Sequence, residues 1–400
     1  MSSSDCISPA TTAVRAGINS DTQHGAVVPP IHLSSTFNFD GFGGKRQYDY
    51  TRSGNPTRDQ LARALADLEG GAGAVITSTG MAAITLVLHL LEPDDLVIAP
   101  HDCYGGTYRL ISALARKKHF RALFVDQHDP AAVATAIALK PRMLWIENPS
   151  NPLLRVTDVV SLAKLGHDVG AIVVVDNTFL SPALQRPIEL GADIVVHSTT
   201  KYLNGHSDVV GGAVVVAEET QLQDVAWWAN CLGITGAPFD SFLTLRGLRT
   251  LHARMRIHLE NAAAILELLH SHPAVQRVYY PGTGAMISFE VAGGEAGVRA
   301  VVDNLKYFTL AESLGGVESL IAHPATMTHA SMDADARRTA GIKDSLLRLS
   351  VGIEDAVDLT KDLKNALDCV LTRNGSTTSV EYEVQNVPVR RIRSGVLSEA

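Results

Sequence analysis

The sequence predicts an α/β protein built on a mostly parallel seven-stranded sheet with helices on both faces, followed by a smaller C-terminal α+β domain. Two observations lead to this fold class. Seven short runs between residues 74 and 216 are almost entirely apolar, as strands covered on both faces must be. Segments of crossover-helix length lie between several of these runs, which gives the β-α-β-α order typical of a parallel sheet.

The predicted strands and helices alternate through the first half of the chain. The apolar runs interpreted as strands cover residues 74–77, 96–99, 122–125, 143–146, 172–175, 193–196 and 212–216. The segments predicted as crossover helices cover residues 80–91, 105–117, 130–139 and 159–169. A single long helix is predicted from Pro238 to Ser271, because a proline in the first helical turn costs no hydrogen bond.

Changes of texture along the chain predict four regions. An irregular arm covers residues 1–55, and the large α/β domain covers residues 56–250. Irregularly spaced apolar segments predict the small α+β domain over residues 251–371. The polar, mixed tail at residues 372–400 is expected to be poorly packed or disordered.

The composition argues against several classes of function. The chain has 400 residues and a net charge of −8, so a uniformly basic nucleic-acid-binding surface is not expected. Its longest apolar stretch, residues 80–91, is too short to cross a bilayer, and the first residues do not resemble a signal peptide. The 4 cysteines lack C-x-x-C spacing, which indicates neither a disulfide framework nor a metal site. We therefore expect a cytoplasmic protein without nucleic-acid, membrane or metal partners.

Polar side chains follow two neighbouring predicted strands, where a ligand of an α/β sheet would bind. Asp176 ends the run IVVVD, while Ser198, Thr200 and Lys201 follow the next strand. An acid and a lysine at adjacent strand ends could flank one ligand. The alternatives are a structural ion pair and an aspartate that caps a helix.

The segment TSTGMAA predicts a phosphate site after the first strand. Small residues and free N–H groups at a helix N-terminus bind phosphate, although an ordinary Ser/Thr helix cap gives the same pattern. Phosphate donors, an acid and a lysine together are the groups that pyridoxal 5′-phosphate (PLP) requires. The lysine forms the Schiff base and the acid keeps the pyridine nitrogen protonated.

Several longer motifs resemble the Cys/Met-metabolism family of PLP-dependent enzymes, which have PLP fold type I. They include YDYTRSGNPTR, STGMAA, ENPSNPLL, VVDNTFLSPALQ, HSTTKYLNGHSDVVGG, LAESLGGVESL and LLRLSVGIED, and the resemblance extends over most of the chain. Within the family, APHDCYGGTYRL and AWWANCLGITGAPFDS are most similar to bacterial cystathionine γ-synthases rather than to cystathionine γ-lyases.

The resemblance implies roles for the cofactor-binding residues. Lys201 would be the Schiff-base lysine, Asp176 would pair with the pyridinium nitrogen, and Tyr104 would stack on the ring and assist the chemistry. The phosphate ligands would be Gly80, Met81, Ser198 and Thr200. Tyr50 and Arg52 would reach the site of a neighbouring subunit, so the resemblance implies a homo-oligomer with shared sites, typically a tetramer.

The substrate site is implied in the same way. Arg348 would bind the substrate α-carboxylate with help from Ser319, and Asn148 would lie near the cofactor's ring hydroxyl or that carboxylate. Arg109, Glu318 and Asp49 would lie toward the distal end of an amino-acid substrate.

The implied reaction is γ-replacement, which joins O-succinyl-L-homoserine and L-cysteine to give L-cystathionine and succinate. The alternatives are cystathionine γ-lyase activity and a non-catalytic protein of the same fold that binds a ligand. One departure from the family lies in PGTGAM, which replaces a longer loop and helix and predicts an altered local fold in the small domain.

Overall fold

A computed structural model describes residues 7–330 and 334–374 of the chain. A seven-stranded sheet has the strand order β1-β7-β6-β5-β4-β2-β3. The strand β7 is antiparallel to both neighbours, and the other pairs are parallel. The strands are β1 (Gly73–Thr77), β2 (Leu96–Pro100), β3 (Arg121–Val125), β4 (Met143–Glu147), β5 (Ile172–Asp176), β6 (Ile194–Ser198) and β7 (Gly212–Val216). The predicted mostly parallel α/β fold is confirmed.

Helices cover both faces of this sheet. Successive side chains of a strand point to opposite faces, and both sets are apolar here. In β5, Val173 and Val175 belong to one apolar core, and Val174 belongs to the other. The first core is covered by α2 (Pro56–Glu69), α5 (Pro130–Ile137) and α6 (Val159–Asp168). The second core is covered by α3 (Gly80–Leu88), α4 (Gly105–Arg116) and α8 (Glu219–Leu232). The remaining helical segments of this half are α1 (Pro9–Arg15), α7 (Ser181–Leu184) and a 3₁₀ turn at Pro187–Leu190.

The single helix predicted from Pro238 to Ser271 is wrong. The chain instead forms α9 (Pro238–Leu248) and α10 (Leu251–Ser271), with a bend between them. At the bend, the Thr250 N–H donates to the Gly247 carbonyl, and the Arg254 guanidinium also donates to that carbonyl, at 2.9 Å. Gly247 packs so closely on the backbone of Asn204 that a Cβ there would lie 2.0 Å from the Asn204 oxygen. The helices therefore bend around the loop that follows β6.

A second sheet carries its own apolar core, which includes Phe289, Leu347 and Leu363. Its strand order is β10-β11-β12-β9-β8. The strands are β8 (Val275–Tyr279), β9 (Met286–Val291), β10 (Thr309–Leu310), β11 (Leu320–Ala322) and β12 (Leu346–Ser350). The helices that follow α10 are α11 (Gly294–Val302), α12 (Ala334–Ala340) and α13 (Ala356–Asn374). The α+β texture predicted for this part of the chain agrees with these elements.

The short PGTGAM segment closes an antiparallel pair between β8 and β9, in which Tyr279 lies opposite Ser288. Gly282 and Gly284 have φ angles of 83° and 87°, a left-handed conformation that glycine adopts readily. The small domain therefore accommodates the direct junction with a turn.

The domain boundaries at residues 55, 250 and 371 stay predictions. The tail predicted at residues 372–400 lies outside the described residues beyond residue 374. Within the described ranges, no helix combines the length and the apolar character needed to cross a membrane.

Candidate active site

A cavity of about 610 Å³ lies at the carboxyl ends of β4, β5 and β6 and is closed on one side by residues of the second sheet's domain. Its volume is in the range typical of small-molecule sites. Nine residues predicted from the sequence line it: Gly80, Met81, Tyr104, Arg109, Asp176, Ser198, Thr200, Lys201 and Arg348. The fold thus brings together groups that are far apart in the chain.

Lys201 lies in the turn after β6, and its Nζ donates to Ser313 Oγ at 2.7 Å. Burial, together with the positive charge of Arg348, lowers the pKa of Lys201 to about 8. More of this amine is therefore neutral near physiological pH than in an exposed lysine, although the cationic form is still the larger fraction. A neutral amine is the form that attacks a carbonyl carbon or accepts a proton.

Two carboxyl groups, Asp176 and Glu147, end neighbouring strands in register. Burial raises the pKa of Asp176, against hydrogen bonds from Thr178 that lower it. Burial and the charge of Asp176 raise the pKa of Glu147 well above its usual range. A cationic ring nitrogen placed beside these groups would favour the ionised form of Asp176.

The N-terminus of α3 forms part of the cavity wall and packs against the end of β6. Thr79 caps this helix, with its Oγ accepting from Ala82 N at 2.8 Å, while the first N–H groups of a helix lack intrahelical partners. Ser198 and Thr200 line the same part of the cavity. A Cβ on Gly80 would lie 2.8 Å from the Ser198 Cβ, so glycine is needed for this close approach. N–H and hydroxyl donors at a helix N-terminus suit a phosphate group.

Arg348, on β12, lies on the small-domain side of the cavity and is almost fully buried. Its Nη1 donates to Asn151 Oδ1 at 2.7 Å, and its Nη2 donates to the Ser313 carbonyl at 3.1 Å. Burial lowers its pKa to about 10, which leaves it cationic at neutral pH. A buried guanidinium held by neutral oxygens is suited to binding a substrate carboxylate.

Tyr104 and Arg109 lie at the N-terminal end of α4, one just before the helix and one within it. Tyr104 precedes the helix, and burial raises the pKa of its hydroxyl above the usual value. Arg109 lines the cavity, as does Glu312, a residue absent from the sequence-based prediction. This part of the cavity therefore carries charged groups of both signs.

The structure does not bring Asn148, Ser319 or Glu318 to the cavity wall. Asn148 donates to Gln185 Oε1 at 2.8 Å and accepts from Thr157 N at 2.9 Å. Ser319 Oγ donates to Glu354 Oε2 at 2.8 Å, and Glu318 accepts from the hydroxyl of Ser207. Their polar atoms are therefore bonded to protein groups away from the cavity.

Residues of the same types, a few positions away, occupy the cavity instead. Asn151 lines it rather than Asn148, and Glu312 and Ser313 line it rather than Glu318 and Ser319. The motif ENPSNP contains two asparagines three positions apart, and AESLGGVESL contains the triplet ESL twice. Each repeat therefore offers two candidate positions for the same type of side chain. Arg348 contacts Asn151 and Ser313, and Lys201 contacts Ser313, so these contacts favour the second asparagine and the first ESL triplet.

Three arm residues lie elsewhere in the same chain. Asp49 is paired with Lys45 at 2.9 Å in the arm. Tyr50 and Arg52 line a second cavity of about 420 Å³, which we call the arm cavity. Arg52 Nε donates to Asn230 Oδ1 at 3.0 Å. Val210 lines both cavities, so the two adjoin.

A family model described as "Cys/Met metabolism PLP-dependent enzyme" matches residues 10–368. The chain belongs to this family. Cystathionine gamma-synthase of Escherichia coli (strain K12) is 57% identical over 373 residues, covering 89% of this chain and 97% of that protein. Cystathionine gamma-lyase of Dictyostelium discoideum is 45% identical, covering 90% of this chain and 97% of that one.

A solved structure supports the same membership. Cystathionine gamma synthase from Xanthomonas oryzae pv. oryzae, in complex with cystathionine, superposes with a TM-score of 0.90 and 62% identity. The match covers 92% of this chain and 99% of that one. The fold-type-I prediction is confirmed, and the protein is a PLP-dependent enzyme of the Cys/Met-metabolism family.

The cavity fits the cofactor that this family requires. It combines a lysine with a lowered pKa, a buried carboxyl at a neighbouring strand end and a glycine-containing helix N-terminus flanked by hydroxyls. These are a carbonyl-binding amine, a partner for a ring nitrogen and a phosphate site. The residues that would hold PLP are therefore Lys201, Asp176, Tyr104 and the cradle formed by Gly80, Met81, Ser198 and Thr200.

Proposed function

We propose that the enzyme joins O-succinyl-L-homoserine and L-cysteine to give L-cystathionine and succinate. The observation that carries this proposal is a pair of guanidinium groups, Arg348 from β12 and Arg109 from α4, that line one cavity with Lys201. O-succinyl-L-homoserine has two carboxylates, one on the α-carbon and one at the end of the succinyl group. Each guanidinium can bind a carboxylate through two hydrogen bonds. The 57% identity to the E. coli synthase supports the same choice.

The chain's own residues have separate tasks in this reaction. Arg348 binds the α-carboxylate and orients the α-hydrogen toward Lys201, whose neutral amine removes it. When bound, PLP supplies an electron sink that stabilises negative charge at the substrate's α-carbon. Asp176 maintains that sink by holding a proton on the ring nitrogen.

The later steps exchange the substituent at the γ-carbon. Lys201 can take a β-proton only after it has given up the α-proton, which passes to bound PLP. The C–O bond at the γ-carbon then breaks, and succinate leaves with the electron pair. The cysteine thiolate then forms the C–S bond, and Lys201 returns protons to the β- and α-carbons. The thiol proton is released, so atoms and charge balance. Tyr104, at the same cavity wall, assists these proton transfers.

Cystathionine γ-lyase activity is the second candidate. Glu312 lines the cavity together with Arg109, and a carboxylate and a guanidinium together suit the distal amino and carboxyl groups of cystathionine. The 45% identity to the Dictyostelium lyase also supports this alternative. A non-catalytic binding role is disfavoured, because the lysine, the acid, the phosphate cradle and the carboxylate clamp are all present in one cavity.

We also propose that active sites are shared between copies of the chain in a homo-oligomer, typically a tetramer. Tyr50 and Arg52 line the arm cavity rather than the Lys201 cavity of their own chain. The arm also exposes large apolar side chains, among them Val27, Leu33 and Phe42. Apolar surface of this extent favours contact with a second copy.

Product analysis with the purified holoenzyme tests the proposed reaction. O-succinyl-L-homoserine plus cysteine should give cystathionine, whereas cystathionine alone should give little 2-oxobutyrate. Rapid release of 2-oxobutyrate from cystathionine, with little synthesis, would favour the lyase. The absence of any reaction with these substrates, in protein shown by absorbance to hold PLP, would contradict both candidates.

A further inference from the structure

Glu147 lies in the cavity wall, and none of the roles described above uses it. It is the last residue of β4, and 5% of its surface is exposed. A carboxyl group in such a position is costly unless its oxygens are hydrogen-bonded. Its partners therefore indicate what it does.

Both oxygens of Glu147 accept backbone N–H groups. Tyr104 N donates to Oε2 at 2.8 Å, and Asn151 N donates to Oε1 at 2.9 Å. The first donor lies in the loop after β2, and the second lies in the loop after β4. One carboxyl group thus binds the backbone of both loops, which are also joined by the hydrogen bond from Ser150 Oγ to Asp102 Oδ2 at 2.8 Å.

The connection continues from Asn151 to the second sheet. The side chain of Asn151 accepts from Arg348 Nη1 at 2.7 Å, and Arg348 Nη2 donates to the Ser313 carbonyl at 3.1 Å. Ser313 Oγ in turn accepts from Lys201 Nζ at 2.7 Å. A displacement of Asn151 would therefore be transmitted to the carboxylate clamp and to the lysine.

We propose that Glu147 is a positioning residue for the substrate. Its two oxygens set the backbone positions of Tyr104 and Asn151, and through Asn151 they orient Arg348. The phosphate cradle at α3 and the acid Asp176 do not depend on these two hydrogen bonds. Tyr104 and Lys201, which would also hold PLP, lie on this connection, whereas the other PLP ligands do not. Loss of the carboxyl group should thus weaken substrate binding and alignment more than cofactor binding. The substrate readout rests on the proposed function, and the other readouts do not.

The substitution Glu147→Gln tests this proposal with little change of volume. A glutamine side chain has one oxygen acceptor, and its NH₂ group would face the second backbone N–H, so one of the two contacts must fail. We expect the KM for O-succinyl-L-homoserine to rise by about tenfold or more, since small misplacements in a site are costly. The Kd for PLP, measured by fluorescence titration of the apoenzyme, should stay within about threefold.

Glu290→Gln provides a matched control. Glu290 is a buried glutamate on β9, and it accepts from Lys343 Nζ at 2.8 Å and from the hydroxyl of Tyr279, outside the cavity. This variant should lose stability without changing KM. Equal changes of KM in both variants, or an unchanged KM in Glu147→Gln, would overturn the proposal. A PLP affinity that falls as much as the substrate affinity would also overturn it.

A double-mutant cycle with Asn151→Ala tests whether Glu147 acts through Asn151. If it does, the rise of KM in the double variant should be clearly smaller than the product of the two single effects. Multiplicative effects would show that the two residues act independently and would contradict the proposed connection.

Amide hydrogen exchange of the wild-type enzyme gives a test that needs no variant to fold. The N–H groups of Tyr104 and Asn151 should exchange slowly in both apoenzyme and holoenzyme, because Glu147 accepts both. Rapid exchange of either amide would overturn the proposal. Because this test involves no substrate, it can fail while the proposed reaction stands, and the reaction can fail while slow exchange is observed.

Discussion

The Lys201 cavity and the arm cavity adjoin, yet their residues are held in different ways. In the Lys201 cavity, buried charges are bound by groups from distant segments, and their pKa values are shifted, as for Lys201 and Arg348. In the arm, Tyr50 is half exposed, and the Arg52 guanidinium lies 5.6 Å from its ring centroid. A site that reacts needs desolvated, fixed groups, whereas residues proposed to serve another subunit are exposed in the single chain.

The largest expected effect comes from removing the amine of the buried cavity. Lys201→Ala should lower kcat by about a thousandfold or more, because no other lysine lines the described part of that cavity. Steady-state assays of the variant, with circular dichroism to verify the fold, measure this loss. Lys164→Ala, an exposed lysine on α6 paired with Asp168, is the control and should retain full activity. Near-normal turnover without Lys201 would contradict the assigned role.

Arg109→Ala tests the charged part of the cavity that the distal substrate group would occupy. We expect kcat/KM for O-succinyl-L-homoserine to fall by about 10- to 100-fold, because a guanidinium–carboxylate pair is lost at a partly exposed position. O-acetyl-L-homoserine lacks that carboxylate, so its kcat/KM should fall much less. Arg116→Ala, in the last turn of the same helix, controls for effects on α4. Equal losses for the two donors would argue against the proposed donor and against the distal role of Arg109.

Mixing two impaired variants tests whether the arm serves another chain. Arg52→Ala should weaken PLP binding, and mixing it with Lys201→Ala should restore some activity. With random exchange of subunits at equal amounts, about a quarter of the sites would have both residues intact. Arg46→Ala, which removes an arm residue paired with Asp40, should be active by itself. If no mixing ratio restores activity although the subunits exchange, the shared-site model is wrong.

The smallest effect is a pH dependence of cofactor attachment. With a pKa of about 8 for Lys201, the rate at which the apoenzyme takes up PLP covalently should rise with pH and level off above about 8. Stopped-flow absorbance measures this rate. The charge of Arg348 helps to lower that pKa, so Arg348→Gln should move the midpoint to higher pH. A midpoint that does not move would show that burial alone sets the lysine pKa.

Local patterns in the sequence were enough to predict the strands, the parallel sheet and the positions of Asp176 and Lys201. Buried parallel strands must be apolar, and ligands bind where such strands end. These features can therefore be recognised from short stretches of the sequence. The family resemblance added Arg348 and Arg109, which line the same cavity. The bend between α9 and α10 could not be predicted, because it depends on the approach of Gly247 to the backbone of Asn204.

Only the tertiary structure decided between the repeated motifs. Asn148 and Asn151 are chemically identical and three positions apart, and the two ESL triplets have identical sequences. Arg348 from the second sheet contacts Asn151 and Ser313, and thereby selects one member of each pair. Glu147 was missed for the same reason, since its partners Tyr104 and Asn151 meet it only in the folded chain. Periodicity and composition specify which face of an element is buried, but the partner of a polar side chain depends on which distant segment packs against it.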